Sequence, residues 1–121
     1  MKIYTTFFAN LSNLSDSVVP ISIALKSPSN WDGLQYKKLA PQKSFFSVWK
    51  EFGDNEYYTE HYNEEVLGVL AVDEVIQELS VLSHNANEIA LVCYEKPDEF
   101  CHRHLVAKWL IQHGYTVEEY P

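Results

Sequence analysis

The stretch Cys93-Tyr94-Glu95-Lys96-Pro97-Asp98-Glu99-Phe100-Cys101-His102-Arg103-His104 gathers both cysteines of the chain, two of its five histidines and its only arginine. Cys101 stands close to where a helix is predicted to begin. A helix N-terminus lowers a thiol pKa, and the thiolate is the nucleophilic form. His104 lies three residues on, on the same helical face, so Cys101 and His104 can form a nucleophile and its base. The same Cys101 also suits a small buried thiol. Cys93 closes an apolar run and is expected to pack in the interior. His102 points towards the face set by Leu105, Val106 and Trp109, as a hydrogen-bonded core histidine or a second proton carrier. Arg103 sits at the positive end of the helix dipole, where a cation is unfavourable. A bound anion would offset that cost, and so would Asp98 or Glu99. A guanidinium grips carboxylate or phosphate in a bidentate way that lysine cannot copy.

Cys93, Cys101, His102 and His104 are also the residue types that hold zinc. Two positions apart on a helix, however, His102 and His104 point about 200° apart. One of them could ligate but not both, so no metal is expected. No cofactor-binding signature is present, and no cofactor is expected.

These residues need a scaffold. The run Glu88-Ile89-Ala90-Leu91-Val92-Cys93-Tyr94 is apolar without alternation, the pattern of a strand buried on both faces in a parallel sheet. Residues 2–9 are β-branched and aromatic and predict a first strand. Val18–Ala24 predicts a second, starting late or lying at an edge because Pro20 cannot donate a ladder hydrogen bond. Helices are predicted over Gln42–Phe52, stopped by Gly53, over Glu56–Leu70 and over Asp73–Leu82. A fourth runs from about Phe100 to His113, and Tyr115–Tyr120 forms a short last strand. Alternating strands and helices make an α/β fold. The expectation is a single three-layer domain spanning residues 1–121, with a small, mostly parallel sheet of about four strands flanked by about four helices. Ligands of such sheets sit at the carboxyl ends of the strands. The 93–104 turn joins that end to a helix N-terminus, which favours anions.

Composition narrows the partners. The 121 residues carry a net charge of −8, 46% apolar and 14% aromatic residues, and nine glycines and prolines together. That composition fits one globular domain rather than a disordered or fibrous chain. The negative charge opposes bulk binding of nucleic acid or anionic lipid, although a local positive pocket is compatible with it. No run approaches the roughly 20 apolar residues that span a bilayer. The N-terminus lacks the pattern of a signal peptide. Two cysteines make no disulfide framework. A soluble, reduced, cytoplasmic protein is expected.

The whole chain resembles the domain-of-unknown-function family numbered 488, in its short form. The resemblance is carried by Ile3-Tyr4-Thr5 with Phe8-Ala9-Asn10, Val19-Pro20-Ile21-Ser22-Ile23, Trp31 with Gly33-Leu34 and Tyr36, and Leu39-Ala40-Pro41. Further pieces are Asn63-Glu64-Glu65-Val66-Leu67, and Leu91 to Cys101 running on through His102-Arg103-His104-Leu105-Val106-Ala107. It implies a small cytoplasmic α/β domain of bacterial or phage origin and, by itself, no particular reaction.

Two functions of different classes follow. In the first, an enzyme, the Cys101 thiolate attacks an electrophile. Arg103 and the helix N-terminus hold an anionic group, and His102 or His104 moves protons. No Cys-x5-Arg loop supports a phosphatase: Arg103 is two residues from Cys101 and ten from Cys93. In the second, a binding protein without chemistry, Trp31, Tyr36, Tyr58, Tyr62 and Tyr94 line a pocket for a planar ligand. Glu95 is placed beside it and Arg103 fixes its phosphate or carboxylate. The tyrosine stripe Tyr58–Tyr62 equally suits the core. A small anionic or nucleotide-like molecule is the expected partner in both.

Overall fold

The computed structural model describes all 121 residues. Five strands form one wholly parallel sheet: β1 (Lys2–Phe7), β2 (Val18–Ser22), β3 (Leu34–Gln35), β4 (Glu88–Cys93) and β5 (Val117–Glu119), in the order β3-β2-β4-β1-β5. Four α-helices accompany them: α1 (Lys43–Phe52), α2 (Asn55–Glu65), α3 (Val72–Leu82) and α4 (His102–Gln112). The α/β class and the parallel sheet are as expected. The fifth strand is β3, a two-residue piece inside the segment that reads as irregular in sequence.

β4 is central, as its uniform apolarity demands. Ile89 to Cys93 are all buried. Its registers place Ile3 beside Ile89, and Thr5 and Ile21 on either side of Leu91. Because side chains alternate along a strand, Ile3, Ile21, Ile89 and Leu91 share one face. They form a single cluster with Phe45, Tyr58, Tyr62, Val75, Leu79, Val106 and Leu110, drawn from all four helices. Each such aliphatic residue contributes about 1.5–3 kcal/mol by burial. The opposite face carries smaller and polar residues. Thr6 is met there by Asn10 of the 3-10 turn Phe8–Asn13, and Ser22 by Ser27 of the following loop. This turn and loop make the third layer.

Three boundaries depart from the periodicity. The first strand ends at Phe7 and residues 8–13 coil into the 3-10 turn. The second helix stops at Glu65, and Leu67–Val69 is a separate 3-10 turn. At Gly68 the backbone passes so close to the Asn63 carbonyl that a Cβ would lie 2.9 Å from its oxygen, which leaves room only for glycine. Finally, α4 begins at His102, and Cys101 is its N-cap with extended backbone angles. Pro20 is tolerated in an inner strand because β3 pairs with β2 only at Ile21 and Ser22, leaving one flank open at Pro20. No helix is long and apolar enough to cross a membrane.

Candidate functional site

The carboxyl ends of β2 and β4 open onto a cavity of about 360 Å³. Its walls come from four places. Ala24, Leu25 and Lys26 follow β2, Phe46, Trp49 and Lys50 come from α1 with Pro41 before it, and Tyr58 comes from α2. Cys93, Tyr94, Glu95, Phe100, Cys101 and His102 come from the β4–α4 connection. Phe100 packs against Trp49 and Tyr58, with ring centres 5.7 and 5.1 Å apart. Aromatic pairs at such separations hold one another in place.

Cys93 and Cys101 meet in this cavity and are joined as a disulfide. The expectation of reduced thiols is thereby corrected. Parallel pairing carries the end of β4 to the cavity, and the N-cap position of Cys101 turns its side chain back towards β4. The His102 ring Nε2 lies 2.7 Å from the Ile23 carbonyl oxygen. A carbonyl only accepts, so Nε2 carries the proton and Nδ1 keeps its lone pair, 3.9 Å from Cys101 Sγ. Burial first, and then the positive neighbours Arg103 and His104, hold the His102 pKa down to about 4 against the pull of its hydrogen bond to Ile23. His102 is a neutral, clamped core imidazole.

Arg103 is the largest fully buried side chain of the molecule. Its Nε and one terminal nitrogen donate to the two carboxylate oxygens of Glu119 at 3.1 and 2.9 Å. The other terminal nitrogen donates to the Glu95 carbonyl at 2.6 Å and to Cys93 Sγ at 3.2 Å. The bidentate carboxylate foreseen for it is therefore internal, supplied by β5, and neither Asp98 nor Glu99 pairs with it. Thr5 donates to the same Glu119 at 2.6 Å, which ties β1, β4, α4 and β5 together.

The other expected site residues divide. Tyr94 and Glu95 line the cavity. The Tyr94 hydroxyl donates to the Lys26 carbonyl at 2.6 Å. Burial raises the Glu95 carboxyl pKa, and Arg103 and Lys50 pull against that rise. Tyr58, whose phenol burial also pushes up, lines the cavity and belongs to the core as well. Trp31 stands beside the site. Its ring lies against Gly33, where a Cβ would come within 2.7 Å of it, and meets Phe8, which in turn packs on Tyr94. Tyr36 is carried elsewhere, its hydroxyl 2.5 Å from Glu78 of α3. Tyr62 is wholly buried and donates to the Leu39 carbonyl. His104 does not line the cavity, and its ring Nε2 has no partner. The i+3 spacing fails to bring it to Cys101 because Cys101 precedes the helix.

Five wall residues that shape the site, Phe46, Trp49, Phe100, Lys26 and Lys50, went unrecognised in the sequence. A signal was available: Lys43, Phe46 and Lys50 recur at three and four on one stripe of α1. Lys26, Lys43 and Lys50 line a groove that shares Leu25, Lys26, Phe46 and Lys50 with the cavity. None of the three lysines is in a salt bridge. A protein of net charge −8 thus presents three lysines outside any salt bridge beside an aromatic cavity.

One protein-family model, DUF488-N3a, described as the active DUF488-N3 subclade, matches residues 14–114. No curated protein and no solved structure matches the chain.

Proposed function

The chain belongs to the DUF488 family, within its active DUF488-N3 subclade, and from that premise we propose that it is an enzyme acting on a nucleotide-like small molecule. The observation that carries this is the union of three features in one cavity: aromatic walls, lysines at the mouth, and the Cys93–Cys101–His102 cluster. Phe46, Trp49 and Phe100 receive a planar ring. Lys26, Lys43 and Lys50 hold its phosphate or carboxylate, the part first assigned to Arg103. In the reduced protein, the Cys93 and Cys101 thiols and the Nδ1 lone pair of His102 are the groups that would react. The proposal takes the word active in the subclade's description to mean catalytic and extends it to this chain. A pocket of this size with few, convergent polar groups is the usual form of a small-molecule site.

Calorimetric titration with nucleosides and their mono- and diphosphates tests the reading. The nucleotides are expected to bind to the folded protein. The exposed pair Lys43→Gln and Lys50→Gln is expected to weaken nucleotide binding about tenfold or more, since charge-assisted hydrogen bonds contribute about 1.5–3 kcal/mol. Nucleoside binding is expected to be left alone. Absence of binding by every member of the panel, to both the oxidised and the reduced protein, overturns it.

A further inference from the structure

We propose that, once a thiol reductant has supplied the two electrons and two protons that open its disulfide to two cysteine thiols, the chain holds a divalent zinc-like ion on Cys93, Cys101 and His102, with the fourth coordination position facing the cavity. The proposal rests on the reading of that cavity as a catalytic pocket and names the group that reacts there.

Five observations support it. The ligand atoms of the three residues lie within 4.8 Å of one another, and all three residues are buried. Ligand atoms around a tetrahedral zinc stand about 3.5 Å apart, given Zn–S near 2.3 Å and Zn–N near 2.0–2.1 Å. The 3.9 Å between Cys101 Sγ and His102 Nδ1 needs little adjustment to meet that spacing. The Cα atoms of Cys93 and Cys101 are 7.4 Å apart, so once the bond between them is open the sulfurs have room to separate onto a shared ion. The imidazole is prepared for ligation: Nε2–H is fixed on the Ile23 carbonyl and the Nδ1 lone pair is turned to the sulfurs, the outer-sphere arrangement of metal-bound histidines. The charges also balance. Two thiolates neutralise a divalent cation, while Arg103 and Glu119 neutralise each other behind them, and Arg103 adds a hydrogen bond to the Cys93 sulfur.

Sulfur and imidazole donors select zinc and its neighbours over magnesium or calcium. Three protein ligands with an open fourth place are the pattern of catalytic rather than structural zinc. In that place the ion would carry a water of lowered pKa or polarise a substrate oxygen, next to whatever ring the aromatic walls hold. Formation from the dithiol releases two protons, and no electron transfer is involved once the disulfide is open.

The test uses the full chain, reduced and stripped with a chelator under anaerobic conditions, then titrated with cobalt(II) and with zinc(II). One ion per chain is expected, with thiolate-to-cobalt charge-transfer absorption and the visible bands of a tetrahedral site. Zinc should displace the cobalt. The oxidised protein should take up none. Cys101→Ser is the informative variant, because serine is favoured at a helix N-cap and should keep α4 capped. It should bind zinc weaker than wild type by more than the ~10–100-fold that loss of an outer-sphere partner costs. His102→Gln is expected to fall in the same range. Absence of charge-transfer absorption in the reduced wild type overturns the metal site, and so does a Cys101→Ser spectrum matching it. Nucleotide titration of the same samples separates the two readings. Nucleotide binding without metal uptake removes the ion and keeps the cavity. Metal uptake without nucleotide binding removes the ligand assignment and keeps the ion.

Discussion

At the residue scale the informative side chain is Arg103. Its place in the first turn of α4 marks it as a cation that needs compensation. Where the compensation comes from is not written nearby. It is Glu119, sixteen residues on, brought in when β5 pairs with β1. Asp98 and Glu99 are closer in the chain but lie in the connection before the helix, and their carboxylates do not reach it. A wholly buried guanidinium whose partner is removed costs far more than an exposed one. Truncating Arg103 to Ala is therefore expected to lower stability by about 3–5 kcal/mol. Arg103→Lys keeps the charge but cannot reproduce the fork on Glu119 together with the contacts to Glu95 and Cys93. It should cost more than the roughly 1 kcal/mol that bounds an exposed pair. Urea unfolding of the reduced variants measures both. A loss under about 1 kcal/mol for Arg103→Lys would mean that the guanidinium lies at the surface. The same distance effect decides what was legible at the site. Cys101, His102, Tyr94 and Glu95 were found because strand end and helix start adjoin in sequence. Trp49 and Lys26 come from other elements with no local pattern to assign them, and the Lys43-Phe46-Lys50 stripe marks a helix face without saying which strand ends it meets.

At the scale of elements, hydrophobic periodicity identified each helix and all strands but β3. It misjudged ends, because ends are set by caps and close contacts rather than by the apolar stripe. α4 is the consequential case. Beginning it near Phe100 puts Cys101 and His104 on one face, whereas beginning it at His102 puts His102 beside Cys101. Tyr36 shows a second limit. An aromatic residue in an irregular stretch reads as a ligand contact, yet its hydroxyl and the Lys38 ammonium share Glu78 and fasten the Leu34–Leu39 segment to α3. Tyr36→Phe is expected to lower stability by about 1 kcal/mol at pH 7. The hydrogen bonds from Tyr36 and Lys38 hold the Glu78 carboxyl below its usual pKa. The stability from that carboxylate is thus complete above the ordinary carboxylate pKa and lost as pH falls through the lowered one. The difference between Tyr36→Phe and wild type should shrink in that acid window. A difference unchanged down to pH 3 would show that Glu78 is not the acceptor.

At the scale of the whole molecule, the fold separates two electrostatic ranges that the net charge alone merges. The sum is −8 and repels an anionic ligand from every distance. Lys26, Lys43 and Lys50, gathered at one mouth, attract it at short range. Salt acts on these ranges in sequence. The screening length is about 30 Å at 0.01 M, 8 Å at 0.15 M and 3 Å at 1 M. The repulsion is a sum over acidic charges on the whole surface, whereas a phosphate bound at the mouth would sit within hydrogen-bonding reach of the lysines, closer than the first two of these lengths. Raising ionic strength from about 0.01 to 0.15 M therefore removes repulsion before it removes attraction. Nucleotide affinity should hold or rise over that step, and fall only on going towards 1 M. Lys43→Gln with Lys50→Gln should make the fall at high salt shallower, because it removes two of the three short-range cations. Uncharged nucleosides should bind alike at all three ionic strengths. Titrations of one nucleoside monophosphate and its nucleoside, at the three salts and with both proteins, decide it. An affinity that declines steadily from the lowest salt would show that the lysine mouth dominates the field at every distance, and that the acidic surface plays no part in selecting the ligand.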